Sequence, residues 1–151
     1  MYRIIYIAFL LITTFANCQT YTGSILRVID GDTFVFQNSD GSFKVRMYGI
    51  DAPEYKQEYG QESKNFLKKY EGKNCTVIQK DIDKYGRIVA VLMIDTTNIN
   101  KLSLKQGYSW HYKKYSKDID YSDCELYARK NKLGLWNSLN PLEPWIYRKT
   151  H

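Results

Sequence analysis

Histidine is nearly missing from this chain: 151 residues carry two, His111 and the C-terminal His151. A histidine-built metal centre, or a histidine base with a second histidine beside it, is therefore a poor starting point for its chemistry. Cysteine is scarce as well, at three, and so small a set gives no disulfide framework. No serine sits in a nucleophile elbow, and no glycine-rich loop is available to cradle a phosphate. The longest apolar run, Ile4 to Ile12, has nine residues, far short of the ~20 that span a bilayer. There are no repeats and no low-complexity stretches. Any catalysis here has to rest on carboxylates and cations.

What the chain does have is enough apolar and aromatic material, 44% and 15%, for one well-packed domain. Its 22 Lys and Arg against 16 Asp and Glu leave a formal charge of +6, a balance that attracts polyanions such as nucleic acids or acidic surfaces. The N-terminus has a three-part layout. Met1-Tyr2-Arg3 is positive, Ile4 to Ile12 is apolar, and Ala16 and Cys18 occupy the small-residue positions of a cleavage site. This pattern predicts a signal peptide over residues 1–18 and a mature domain over 19–151, exported to the periplasm or the medium. Lipidation of Cys18 in a lipoprotein is the alternative. Cys75 and Cys124 are expected as unpaired structural thiols.

Thr22 to Val28 and Thr33 to Phe36 read as strands around Asp30-Gly31-Asp32, and Ser39-Asp40-Gly41 as a hairpin turn. In Phe43 to Tyr48 a period of two sets Val45 and Met47 on one face, and Lys44, Arg46 and Tyr48 on the other. Pro53 ends that strand near Asp51-Ala52. A helix is expected over Gly60 to Tyr70, then strands over Lys73 to Gln79 and Arg87 to Ile94, with Asp83-Lys84-Tyr85-Gly86 turning between them. Ile99 to Gln106 and Ser122 to Lys132 read as helices stopped by Gly107 and Gly134, and the tail from Asn140 as irregular. This order is known from OB-fold barrels, although strand count alone does not separate a closed barrel from an open α+β sheet.

Two acidic groups stand out. Asp30-Gly31-Asp32 has a glycine that lets the backbone bend between two acids. Gly49-Ile50-Asp51-Ala52-Pro53-Glu54 lies just past the strand that holds Arg46. Acids on separate loops can form part of an oxygen cage for a hard divalent cation. Arg46 and Arg87 each sit at a strand position near a turn, where a forked guanidinium suits the charge gained by a phosphodiester under attack. Tyr85, Trp110, Tyr112 and Tyr115 interleave with Lys84, Lys113 and Lys114, as suits stacked bases over a charged backbone. Each feature alone has an ordinary structural reading: a turn, a strand exit, a solvated arginine, a packing ring.

Together these segments resemble the thermonuclease family of staphylococcal nuclease-like proteins. The stretches that carry the resemblance are Val28 to Thr33, Arg46 to Glu54, Asp83 to Arg87, Gln106-Gly107 and Lys132 to Trp136, in that order. The resemblance implies an α+β, mainly β fold: a five-stranded OB-fold barrel with three helices. It implies a monomer that hydrolyses DNA and RNA with one calcium ion per site. In that reading Asp32, Asp51 and the main-chain oxygen of Ala52 hold the cation, Glu54 assists the attacking water, and Arg46 and Arg87 neutralise the phosphate. Lys84, Tyr85, Tyr112 and Tyr115 fall where nucleotide is contacted, with Lys113 standing where a tyrosine is expected. Two rival readings are a barrel that binds nucleic acid without cutting it, and a basic protein that adsorbs to an acidic surface.

Overall fold

The computed structural model describes residues 19–151; the expected signal peptide and Cys18 lie outside the described residues. Three long strands come first: β1 (Thr20–Val28), β2 (Thr33–Asn38) and β3 (Gly41–Met47). A two-residue β4 (Ile50–Asp51) and helix α1 (Gly60–Lys68) follow. Next come β5 (Asn74–Ile82), β6 (Ile88–Ile94), β7 (Thr97–Asn98) and α2 (Ile99–Lys105). The chain ends with β8 (Trp110–His111), α3 (Ile119–Lys130), a 3-10 turn (Gly134–Asn137) and α4 (Pro144–Thr150).

The main sheet runs β3-β2-β1-β5-β6-β7, and β3 also pairs with β6. That last pairing is parallel, with Val45 opposite Ile88 and Arg46 opposite Val89. It closes five strands into a barrel and leaves no open edge between β3 and β6. The alternation expected for β3 holds: Val45 and Met47 are buried, Lys44 is exposed and Arg46 is half-buried. Ile25, Phe34, Phe36, Val77 and Leu92 fill the barrel with them. Asn100, buried at the start of α2, ties this core to the helices. Its Oδ1 accepts the Leu92 amide at 2.9 Å, and its Nδ2 donates to the carbonyls of Tyr48 and Ala90 at 2.9 and 3.2 Å. Every polar atom of this buried amide therefore has a partner, which is what such burial requires.

A second apolar cluster joins Trp110, Ala128, Leu135 and Trp136, with Trp145 packed against it. Gly107, expected to end a helix, does so after α2 in a left-handed conformation at φ 75°, whereas α3 ends earlier than expected, with Lys132 as its left-handed residue at φ 52°, and Gly134, at φ 53°, opens the 3-10 turn. The two glycines also meet each other, since a Cβ on either would collide with the other's backbone neighbourhood. Cys75 and Cys124 are free, and burial pushes the Cys75 thiol up to about 11, which leaves it unreactive.

Two boundaries depart from expectation. α3 opens at Ile119 rather than Ser122, because the Asp118 side chain accepts the Asp120 amide and caps the helix earlier. The tail is not irregular: α4 is a fourth α-helix. Its Pro144 occupies the first turn, where a missing N–H costs nothing. Among the described residues no helix is long and apolar enough to cross a membrane.

Candidate active site

Barrel closure brings together segments that are distant in the chain. The Met47 amide donates to the Asp32 carbonyl at 2.8 Å, which pins the loop after β1 to the end of β3. The β3–β6 pairing sets Arg46 opposite Val89, two residues past Arg87. Asp51 of β4 lies opposite Trp110 of β8.

Asp32 and Asp51 are 3% and 0% exposed. Carboxylates buried this deeply need cationic or hydrogen-bonded partners, and Arg46 serves both. Its Nη1 pairs with Asp32 Oδ1, and its Nη2 donates to Asp51 Oδ1 at 2.7 Å. Thr33 Oγ1 donates to Asp32 Oδ1 at 3.1 Å, and the Ala52 amide donates to Asp32 Oδ2 at 2.6 Å. The two acids thus stand within the breadth of one guanidinium, with the Ala52 backbone against the first. Gly31 matters here for a reason the sequence did not suggest. Its backbone is outside the left-handed region, but a Cβ on it would come 2.6 Å from Ala52 Cβ and 2.7 Å from Ser63 Cβ. The glycine permits contact between the two acid loops.

Glu54 reaches this group through a residue the sequence reading missed, Arg148 of α4. Arg148 Nη1 donates to Glu54 Oε1 at 2.7 Å and to Asp51 Oδ1 at 3.2 Å, while Nη2 donates to Asp51 Oδ2 at 2.8 Å. Gln57 holds the Glu54 loop from the other side: its Oε1 accepts the Glu54 amide at 3.1 Å and its Nε2 donates to the Leu142 carbonyl at 2.6 Å. An arginine in a basic C-terminal tail carries no local signal of such a role. Only the tertiary docking of α4 reveals it.

Arg87 stands apart from the paired acids. Its Nε donates to Asp83 Oδ2 at 2.7 Å, and Asp83 Oδ1 accepts the amides of Tyr85 and Arg87 at 2.9 and 3.0 Å. Burial by itself would raise the Asp83 carboxyl, but these bonds, the Arg87 side chain first, outweigh it and hold the group below the usual carboxylate range. The i, i+4 spacing of Asp83 and Arg87 across a turn was the available clue. Arg87 also acts on Asp30, whose pKa is raised by burial against the attraction of Arg46, Thr33 and Arg87. Asp30 Oδ1 accepts the Asp32 amide at 3.0 Å and so shapes the acid loop without pairing to an arginine.

The expected nucleotide contacts flank this centre. Tyr85 is 72% exposed, with Lys84 Nζ 5.0 Å and the Arg87 guanidinium 5.6 Å from its ring centroid. Tyr115 is 61% exposed under Lys114. Tyr112 is half-buried, and its amide donates to the Gly49 carbonyl at 2.9 Å, next to the second acid loop.

The donor set suits a hard cation: two buried carboxylates and a main-chain carbonyl at Ala52 are the oxygen ligands that calcium takes. Among the described residues no three acid, histidine or cysteine side chains converge closely enough to hold a metal unaided. Asp32 and Asp51 are the side chains that would hold such a cation.

Comparison with known proteins shows the family of the chain. A family model described as a staphylococcal nuclease homologue matches residues 44–138, a span that includes Arg46, Asp51, Glu54 and Arg87. A protein of Escherichia coli named an uncharacterized endonuclease is 38% identical over 133 residues, 87% of this chain and 87% of its own. One of the same name from Haemophilus influenzae is 37% identical over 145 residues, 93% of this chain and 81% of its own. A micrococcal nuclease of Shigella flexneri is 31% identical over 159 aligned positions, 97% of this chain and 91% of its own.

Proposed function

Because the chain belongs to the staphylococcal nuclease family, we propose that it is a calcium-dependent phosphodiesterase that hydrolyses DNA and RNA. The observation that carries the reading is the pairing of Asp32 and Asp51 with one guanidinium, Arg46, at the edge of a barrel whose closure sets the Arg87 turn alongside. Asp32, Asp51 and the Ala52 carbonyl would hold the cation. The chemistry calcium supplies in such a donor set is polarisation of a phosphate oxygen.

The chain's own residues account for the rest. Arg46, with Nη1 on Asp32 and Nη2 on Asp51, sets its charge beside the acids, and Arg87, fixed through Nε by Asp83, can offer its outer nitrogens to a phosphate there. Preorganised in this way, the two cations meet charge that develops only as the nucleophile adds, which is the contribution that raises turnover. Glu54, at 40% side-chain exposure, can hold and deprotonate a water at the rim. A carboxylate is a weak base, so positioning and charge stabilisation supply most of the acceleration. Tyr85 and Tyr115, each capped by a lysine, offer open ring faces to bases.

The test is incubation of the purified protein with DNA and RNA, with calcium and with excess chelator. Cleavage that chelation abolishes supports the proposal. Retarded but intact nucleic acid under every metal condition refutes it in favour of a binding module, and absence of any affinity favours adsorption to another acidic surface. Export rests on the layout of residues 1–18. N-terminal sequencing of the protein from the periplasm or medium checks it: a start at Gln19 fits the signal peptide, and an acylated Cys18 fits the lipoprotein. Sedimentation at working concentration tests the expected monomer.

A further inference from the structure

Glu54 is held by its backbone more than by its side chain. The carboxylate meets solvent and Arg148, an arginine similarly exposed on a terminal helix of seven residues, and exposed pairs of that kind fix little. Both polar groups of the Glu54 backbone, by contrast, go to one residue. The Glu54 amide donates to Gln57 Oε1 at 3.1 Å, and the Gln57 amide donates to the Glu54 carbonyl at 2.8 Å. A Cβ on Gly60 would collide with that same carbonyl, which therefore lies in the notch left by the first residue of α1.

Gln57 is itself only 9% exposed, and an amide so placed needs partners at both ends. The second partner comes from far along the chain: Gln57 Nε2 donates to the Leu142 carbonyl at 2.6 Å. A donor on one side and an acceptor on the other leave a single orientation for the amide. Leu142 lies between Pro141 and Pro144, whose rings fix φ and stiffen the segment that offers the carbonyl; Pro144 is also buried. Ser138 adds a second tie from the same segment, its Oγ donating to Glu58 Oε2 at 3.2 Å. The two segments line a shared cleft of about 200 Å³, so the bond to Leu142 spans ground that packing does not fill.

We infer that Gln57 is the positioning residue for Glu54, setting where the carboxylate stands and hanging that position on the C-terminal segment from Ser138 to Pro144. This rests on the nuclease reading, in which Glu54 handles the attacking water. Gln57 touches no substrate; it acts through the backbone that it holds. A displacement of ~1 Å at a reacting group costs about a hundredfold in rate, so a glutamine outside the cation and phosphate contacts controls turnover without controlling binding.

The experiment compares wild type with Gln57→Met, which fills the same space without hydrogen bonds, and with Gln57→Asn, whose amide is one methylene too short to reach both partners. Each is made alone and on Glu54→Gln. In steady-state cleavage of DNA with calcium, the single variants should lose about tenfold to hundredfold in kcat, with KM and calorimetric calcium affinity within roughly twofold of wild type. On Glu54→Gln the same changes should add little, because a residue that acts through Glu54 then has nothing left to position. Amide hydrogen exchange, followed with excess chelator, should quicken at Glu54 in both variants while the amides of β3 and β6 stay protected, which also establishes that the variants are folded. A kcat loss that persists in full on Glu54→Gln, no loss at all, or unchanged exchange at Glu54 overturns the assignment. The nuclease reading fails separately: wild type that leaves nucleic acid intact at every calcium concentration refutes it, and exchange at Glu54 still decides whether Gln57 holds that backbone.

Discussion

Replacing Arg148 with alanine should tighten calcium binding, although the substitution removes a favourable contact. Arg148 engages both oxygens of Asp51 and one of Glu54. A cation that needs the Asp51 carboxylate has to displace this guanidinium. The Glu54 half of the contact joins side chains 41% and 40% exposed, and exposed pairs contribute about 0.2–1 kcal/mol. The Asp51 half involves a carboxylate 1% exposed; charged hydrogen bonds of that kind are worth about 1.5–3 kcal/mol, here reduced because Arg148 itself meets solvent. A total of about 1–3 kcal/mol corresponds to a factor of roughly 5 to 150 in calcium affinity.

Calorimetric titration of calcium into the wild type and Arg148→Ala reads this directly, without any substrate. The variant should bind about tenfold more tightly or better, and Arg148→Lys, which keeps the charge but loses the fork, should fall between. The melting temperature gives an independent check: the variant should melt lower than wild type under chelation and close to it with saturating calcium. Affinity that is unchanged or weakened in Arg148→Ala would refute the reasoning, because it would mean that the guanidinium and the cation do not contend for the same carboxylate.

Arg46→Ala and Arg87→Ala should each lower kcat about a hundredfold to a thousandfold with little change in KM; steady-state kinetics that show equal loss in both parameters, or none, count against the assigned role. Gly31→Ala drives a methyl against Ala52 and Ser63 and should cost about 1–3 kcal/mol in urea unfolding while weakening calcium binding; an unchanged unfolding midpoint would show that the two acid loops yield without strain. Burial, opposed by Glu125, lowers the His111 pKa, so the unfolded chain takes up the proton first as the medium acidifies. Stability should fall as pH drops below about 6.5, the free imidazole value, and level off below the folded pKa. Unfolding at pH 7.5 and 5.5 should therefore show a steeper loss for wild type than for His111→Gln, and parallel losses would exclude His111 as the source.

How far the sequence could be read depends on the range of each signal. The period of two in β3 is local, and it placed Val45 and Met47 inside and Arg46 outward. Gly107 was legible as a helix stop because a left-handed residue is a local demand; Gly134 was not one, since Lys132 takes the left-handed position after α3, and the contact of the two glycines was not legible because no pattern in one segment refers to the other. Asp32, Asp51, Arg46 and Ala52 were identified in advance, and they meet. Asp83 reads in the sequence as a turn residue, and its hydrogen bond to Arg87 is not written in that pattern. α4 was hidden by length and by prolines at 141 and 144, which read as breakers until Pro144 is recognised at a helix start. The early start of α3 was hidden because Ile119, 70% exposed, does not continue an apolar face.

The charge balance at the acids decides which arginine gives way. Asp32, Asp51 and Glu54 face Arg46 and Arg148, which leaves one negative charge in excess. A divalent ion added to that set with both guanidinium groups in place would turn a small deficit into a surplus of the same size, in a pocket where two of the acids are out of solvent. Arg46 is 16% exposed and is held by both buried carboxylates, so moving it would strand a charge at a cost of several kcal/mol. Arg148 is 41% exposed, on a seven-residue terminal helix, and its release into water costs far less. The guanidinium that would yield to a cation is therefore the one on α4.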